Sequence, residues 1–183
     1  SLGYDEVRTY IQSDNVVFRS DDAEATIVER LRGVLAERHG LTVPIIVRAA
    51  DGASELCCAR WGLVPSWWTK PELPALTFNA RSEEAADKAT WAPSLRAQRC
   101  LMPSLGWYEW NETERVRSGR RMANQPYYLY CPNAEVVAIA GLWAIHARGA
   151  QPALNSCALL TKGAAPSIAP IHHRMPVVLK REH

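Results

Sequence analysis

The chain has 183 residues, 48% apolar and 22% charged, a composition that suits one soluble globular domain and excludes a disordered tail or a fibrous repeat. No apolar run approaches the roughly 20 residues of a transmembrane helix, and Ser1–Glu6 lacks a basic stretch followed by an apolar one, so neither membrane insertion nor a signal peptide is expected of the chain as given. A formal net charge of +2, from 21 basic and 19 acidic residues, is too balanced for nucleic-acid binding by bulk electrostatics alone.

In chain order, Asp21-Asp22 followed by Ala23, Ile27, Val28, Leu31, Val34 and Leu35, then Gly40, predicts an amphipathic helix with an N-cap and a C-terminal glycine. Strands are predicted at Val43–Arg48, Glu55–Val64, Arg99–Met102, Trp107–Asn111, Tyr127–Cys131, Val136–Trp143, Cys157–Thr161 and Pro176–Leu179. Short helices are predicted at Ser82–Lys88 and at Pro93–Gln98, where Pro93 suits a first turn. With no repeat or linker, residues 1–183 read as a single α+β domain holding a curved, partly barrel-like mixed β-sheet flanked by helices.

Charge and aromatics are unevenly spread. Residues 1–60 carry seven Arg, no Lys and ten acidic residues, giving −3, and the remainder is +5 and holds all seven tryptophans. Arg115, Arg117, Arg120 and Arg121 surround Ser118-Gly119, a turn signal that reads as a solvated hairpin tip in preference to a phosphate-binding finger. Cys57, Cys58, Cys100, Cys131 and Cys157 show no C-x-x-C spacing and read as small buried hydrophobes in a reducing compartment. The histidines lack metal-ligand spacing, so no metal is expected.

Four segments hold more polar and aromatic detail than a core requires. Trp61–Trp68 ends a strand in a Pro-Ser turn with adjacent indoles, Trp67 and Trp68, at least one of which is expected to face solvent, where it can stack on an unpaired base; the alternative is that both cover the core. In Phe78–Glu83, Asn79 can cap a helix or hold a reacting amine or sugar oxygen, and Arg81 can pair with Glu83 or Glu84 or take a phosphate. In Gly106–Trp110, strand alternation puts Trp107, Glu109 and Asn111 on one face, and burial beside an indole would raise the Glu109 pKa toward neutrality, useful for acid catalysis. In Pro170–Pro176, a loop stiffened by prolines, one of His172 and His173 suits a base, the two side chains being expected to diverge.

Together these segments are recognisable. W-G-L-V-P-S-W at 61–67, N-A-R-S-E at 79–83, R-C-L-M-P at 99–103, G-W-Y-E-W at 106–110, Q-P-Y-Y at 125–128, A-G-L-W at 140–143 and A-P-I-H-H-R-M-P at 169–176 give a chain that resembles the SOS response-associated peptidase (SRAP) family, with the motifs in family order. The resemblance implies capture of abasic sites in single-stranded DNA by an N-terminal cysteine, whose amine condenses with the open sugar aldehyde and whose thiol closes a thiazolidine crosslink. It implies that Asn79 orients the amine and sugar, that Glu109 and His172 move protons, that Arg81 and Arg174 contact phosphates, and that Trp67, Trp68 and Trp110 stack on bases or wall the groove. It further implies a cytoplasmic monomer, associated with the nucleoid during repair, with no metal or organic cofactor and no membrane partner.

Three features depart from the family pattern. The opening M-C-G-R is replaced by Ser1-Leu2-Gly3-Tyr4, with the first cysteine at Cys57; the Y-N-x-A-P-T stretch is missing where Gly40-Leu41 runs into Thr42; and His173 replaces an acidic residue. The expectation is a chain lacking terminal and internal segments of the family domain. The competing functions are a noncovalent single-strand binder without the nucleophile and a peptidase limited to self-processing.

Overall fold

Strands carry nearly all the regular structure in the computed structural model, which describes residues 5–9, 16–19 and 42–179, apart from 119, 120, 133, 135 and 150. These fall into two units, Ser1–Leu41 and Thr42–His183. In the first, β1 (Asp5–Thr9) pairs antiparallel with β2 (Val16–Arg19). The helix predicted from Asp21 to Gly40 lies outside the described residues.

The second unit begins with a period-two strand, β3 (Thr42–Arg48), which buries Val43, Ile45 and Val47 and turns Thr42, Pro44 and Arg48 outward. A turn in which Gly52 adopts φ +83° returns it antiparallel into β4 (Ser54–Trp61). β5 (Asn79–Arg81), the helix α1 (Ala92–Ala97), β6 (Arg99–Ser104), β7 (Trp107–Ser118), β8 (Arg121–Leu129), β9 (Val137–Arg148), β10 (Gln151–Gly163), β11 (Arg174–Pro176) and β12 (Val178–Leu179) follow. β7 and β8 form a separate two-stranded antiparallel sheet; the other eight strands of this unit form a mixed sheet.

The partly barrel-like expectation has a concrete basis in the pairings. β10 pairs with β4, β4 with β3, β3 with β6, β6 with β9, and β9 again with β10, so five strands close a ring. Closure leaves no open edge among those five. The inner cluster includes Leu63, Trp91, Leu142, Ala158 and Leu160.

β10 outlasts the ring. Beyond its β4 contact at Ser156 and Cys157 it pairs in parallel with β5 through Leu159–Thr161, and its last residues, Thr161–Gly163, pair antiparallel with β11. Asn79–Arg81 and Arg174–Pro176 are thereby gathered at the C-terminal end of one strand.

The flanking helices expected from the sequence are corrected by the structure. Among the described residues, α1 is the one α-helix, with Pro93 in its first turn as predicted. In place of the helix predicted at Ser82–Lys88, residues 82–87 form turns, held by Glu84 N to Arg81 O (3.1 Å) and by Asp87 N and Lys88 N to Glu84 O (both 3.2 Å). Among the described residues no helix is long and apolar enough to cross a membrane.

The cysteines are also corrected in part. Cys100 and Cys157 are buried, but Cys58 and Cys131 are exposed. Consecutive side chains on a strand point to opposite faces, so Cys57 and Cys58 on β4 cannot both face the core.

Candidate active site

β7 supplies the acid. Its alternation buries Trp107 and Asn111 and half-buries Glu109 between them on the same face. Gly106 admits the chain here, since a Cβ on it would strike the Leu129 carbonyl oxygen and the Tyr128 ring. The histidine comes from the turns after β10, where Ile171 N (2.8 Å) and His172 N (3.1 Å) both donate to Ile168 O.

The two meet. His172 Nδ1 lies 3.3 Å from Glu109 Oε2, with 22% and 15% of the respective side chains exposed. The same Nδ1 is 3.0 Å from Arg174 O and 3.2 Å from Arg174 N, so the ring is fixed against its own loop. Burial pushes the Glu109 carboxyl above the ordinary carboxylate range, and the His172 charge partly opposes this. The raised pKa has the sign that the aromatic setting predicts. The neighbouring histidines do not diverge as the sequence suggests: just past the turns that end at residue 171, their rings lie 4.5 Å apart.

Asn79 and Arg81 are exposed on β5, Asn79 opposite Leu159 and Arg81 opposite Thr161. Arg81 pairs with Glu84 at 3.3 Å, one of the two partners the sequence offers, and Glu84 also takes Lys88. Glu83 instead reaches Arg174, whose Nη1 and Nη2 donate to its two carboxylate oxygens at 2.9 and 3.0 Å, while Nη2 also donates to Thr161 Oγ1 at 3.0 Å. The Arg174 hydrogen bonds hold the Glu83 carboxyl down at about 2. Arg81 is thus the more exposed guanidinium, and Arg174 is engaged by a carboxylate.

The tryptophans are divided. Trp67 is half exposed in the loop after β4. Trp68 sits beside it, ring centroids 6.1 Å apart, and donates Nε1 to Glu72 O at 2.8 Å, with Lys70 Nζ 5.6 Å from its ring. Trp110, opposite Pro126, projects from the face of β7 opposite to Glu109.

Sequence reasoning missed two contributors, Tyr127 and Ser156, and the unpaired state of two donors. Tyr127 is registered directly opposite Glu109 and shares its face, with its hydroxyl donating to Glu114 Oε2 at 2.6 Å. Ser156, fully buried, accepts Val64 N at 2.9 Å and so anchors the tryptophan loop to β10. Trp107 Nε1 and Arg174 Nε are buried donors with no partner among the described residues, and each lies two residues from a member of the Glu109–His172 pair. An unpaired buried donor costs roughly 1–3 kcal/mol, which a ligand oxygen can offset. Register could have found Tyr127; Ser156 depends on a contact between distant segments. Among the described residues no group of three or more His, Cys, Asp or Glu is arranged to hold a metal ion.

Comparison with known proteins agrees with the motif pattern. The family model described as SOS response associated peptidase (SRAP) matches residues 23–183. An abasic site processing protein of Bacillus subtilis, YoaM, is 29% identical over 124 residues, covering 68% of this chain and 52% of its own length. The Gallus gallus abasic site processing protein HMCES is 29% identical over 144 residues, covering 66% of this chain and 40% of its own. The chain therefore spans about half the length, or less, of these curated relatives. A Bacteroides thetaiotaomicron crystal structure shares the fold at TM-score 0.66 and 24% identity, over 90% of this chain and 70% of that one. A Bordetella bronchiseptica structure matches at TM-score 0.63 and 27% identity, over 76% of this chain and 68% of the other.

Proposed function

This chain belongs to the SOS response associated peptidase (SRAP) family, and from that premise we propose that it acts on abasic sites in single-stranded DNA, with Glu109 and His172 as its proton-transfer pair. The observation that carries the reading is the 3.3 Å contact between a half-buried carboxylate and an imidazole. The names of the relatives support the substrate.

The chemistry suits these groups. An abasic sugar opens to an aldehyde, an amine adds to its C1′, and the resulting carbinolamine loses its hydroxyl as water to leave an imine. Departure of hydroxide needs a proton, which Glu109 supplies from the neutral form that burial favours. His172, in contact with the carboxylate, returns a proton to it and accepts the one shed by the attacking nitrogen. Addition of a thiol to the imine carbon then forms a C–S bond, its proton passing to nitrogen, and closes a thiazolidine. The amino-terminal cysteine that would supply both amine and thiol is not among the 183 residues, where Cys57 comes first. The residues present are assigned the proton-transfer and DNA-holding parts of the reaction.

Asn79 orients the sugar, and Arg81 contacts a flanking phosphate. Trp67 offers an exposed indole for stacking, with Trp68 and Trp110 as groove walls. Arg174 reaches a phosphate by exchanging Glu83 for it. The test is borohydride trapping: protein made from the full coding sequence is mixed with a single-stranded oligonucleotide bearing one abasic site or its tetrahydrofuran analogue, which has no aldehyde. A denaturation-resistant adduct with the abasic strand alone supports the reading, and absence of an adduct with both refutes it.

A further inference from the structure

We propose that Asn111 is a positioning residue that holds the Glu109–His172 pair in register by tying the β7–β8 hairpin to the histidine turn. The assignment to catalysis rests on the function proposed above; the tie itself does not.

Glu109 and His172 come from different sheets. Glu109 lies on the two-stranded sheet, whereas His172 follows β10 of the eight-stranded sheet and precedes β11 of the same sheet. No strand pairing joins the two sheets among the described residues. A contact of 3.3 Å between them therefore needs something other than a hydrogen-bonded ladder to fix it.

Asn111 has the required placement. It is 6% exposed, two residues beyond Glu109 on the same face, and its Nδ2 donates to Pro170 O at 3.4 Å, two residues before His172. The bond is long, but its direction is forced by the other end of the amide. Oδ1 accepts Thr113 N at 2.9 Å, Thr113 Oγ1 at 2.8 Å and Glu114 N at 3.1 Å. Backbone N–H groups only donate, so they need the amide oxygen, and the NH₂ group must face Pro170.

These bonds sit where the register of β7 and β8 shifts, between Asn111 and Arg115. A bulge there loosens the ladder locally, and the Asn111 oxygen gathers the N–H groups the ladder leaves. One side chain thus braces the irregular part of the hairpin and links it across to the loop that carries the histidine. Leucine would fill the space without the link, and aspartate could accept the turn bonds but, when ionised, could not donate to Pro170 O.

The experiment reads the pair directly and needs no DNA. Glu109 is titrated by carboxyl carbon NMR in the full chain, with and without His172→Gln, in the wild-type background and in Asn111→Ala and Asn111→Ser. Serine retains an acceptor for the turn but cannot span to Pro170, so it remains readable if Asn111→Ala fails to fold. In the wild type, removing His172 raises the Glu109 midpoint by about 1 pH unit, the scale of one opposite charge in contact. In Asn111→Ser the same step falls to less than about half of that, because the two groups drift apart. An equal step in both backgrounds overturns the proposal, even if abasic-site trapping succeeds. A diminished step upholds the tie even if trapping fails.

Discussion

Glu109 illustrates how a single strand position acquires chemistry. Placed beside Trp107 on an inward face, its carboxyl is desolvated, and desolvation favours the neutral acid. Because its folded pKa lies above its unfolded value, the stability it lends is present below the unfolded value near 4.5 and is lost as pH rises through the folded value. Unfolding in urea across pH 4–8 should therefore show wild-type stability declining relative to Glu109→Gln as pH rises; a constant difference would mean that the carboxyl is not perturbed. Thiols respond to burial in the same way. Cys157 is pushed up to about 12, and Cys100 is raised further, both chiefly by desolvation. A disulfide exchange reagent at pH 8 should label Cys58 and Cys131 in the native protein and spare Cys100 and Cys157 until denaturant is added, as read by peptide mass mapping. Rapid native labelling of Cys157 would contradict the packing described.

Among the elements, β10 does the organising. It closes the five-strand ring, receives β5 and β11 at its end, and through Ser156 pins the loop carrying Trp67 and Trp68. Ser156→Ala leaves Val64 N buried without an acceptor and should cost about 1–3 kcal/mol in urea unfolding; a loss below about 0.5 kcal/mol would show that the loop has another anchor. At that same C-terminal end of β10, Arg174 and Glu83 span from β11 to the turn after β5. With Glu83 held at about 2, the contribution of this pair is present above the unfolded carboxylate value and is lost only as pH falls through about 2. Much of this was legible in sequence. A β-rich stretch marked β3, alternation put Trp107, Glu109 and Asn111 of β7 on one face, and Pro93 marked α1. What was not legible followed from distance along the chain. The sequence offered Arg81 its neighbours Glu83 and Glu84, but Glu83 pairs 91 residues away, and the 4.5 Å approach of the vicinal histidine rings is a backbone geometry no pattern announces.

For the molecule as a whole, the weak net charge of +2 conceals a C-terminal part at +5 that holds every tryptophan and the candidate site. Under the proposed function, binding to single strands should then depend on a few phosphate contacts and on stacking. Arg81→Ala should lower the salt slope of oligonucleotide binding by about 1 or slightly less, and Trp67→Ala should weaken binding by about 1–3 kcal/mol without altering the slope, both by fluorescence anisotropy. An unchanged slope in Arg81→Ala would remove that residue from the phosphate contacts. Asn79, Glu109 and His172 stand out in the sequence as motif positions, whereas the contact between Glu109 and His172, and the placing of β5 and β11 together at the end of β10, are properties of the fold. If Glu109 and His172 move the protons of imine formation as proposed, the single-turnover rate of borohydride-trapped adduct on an abasic single strand should be at least about 100-fold lower in Glu109→Gln than in wild type, both made from the full coding sequence, with oligonucleotide affinity unchanged; equal rates would contradict that role.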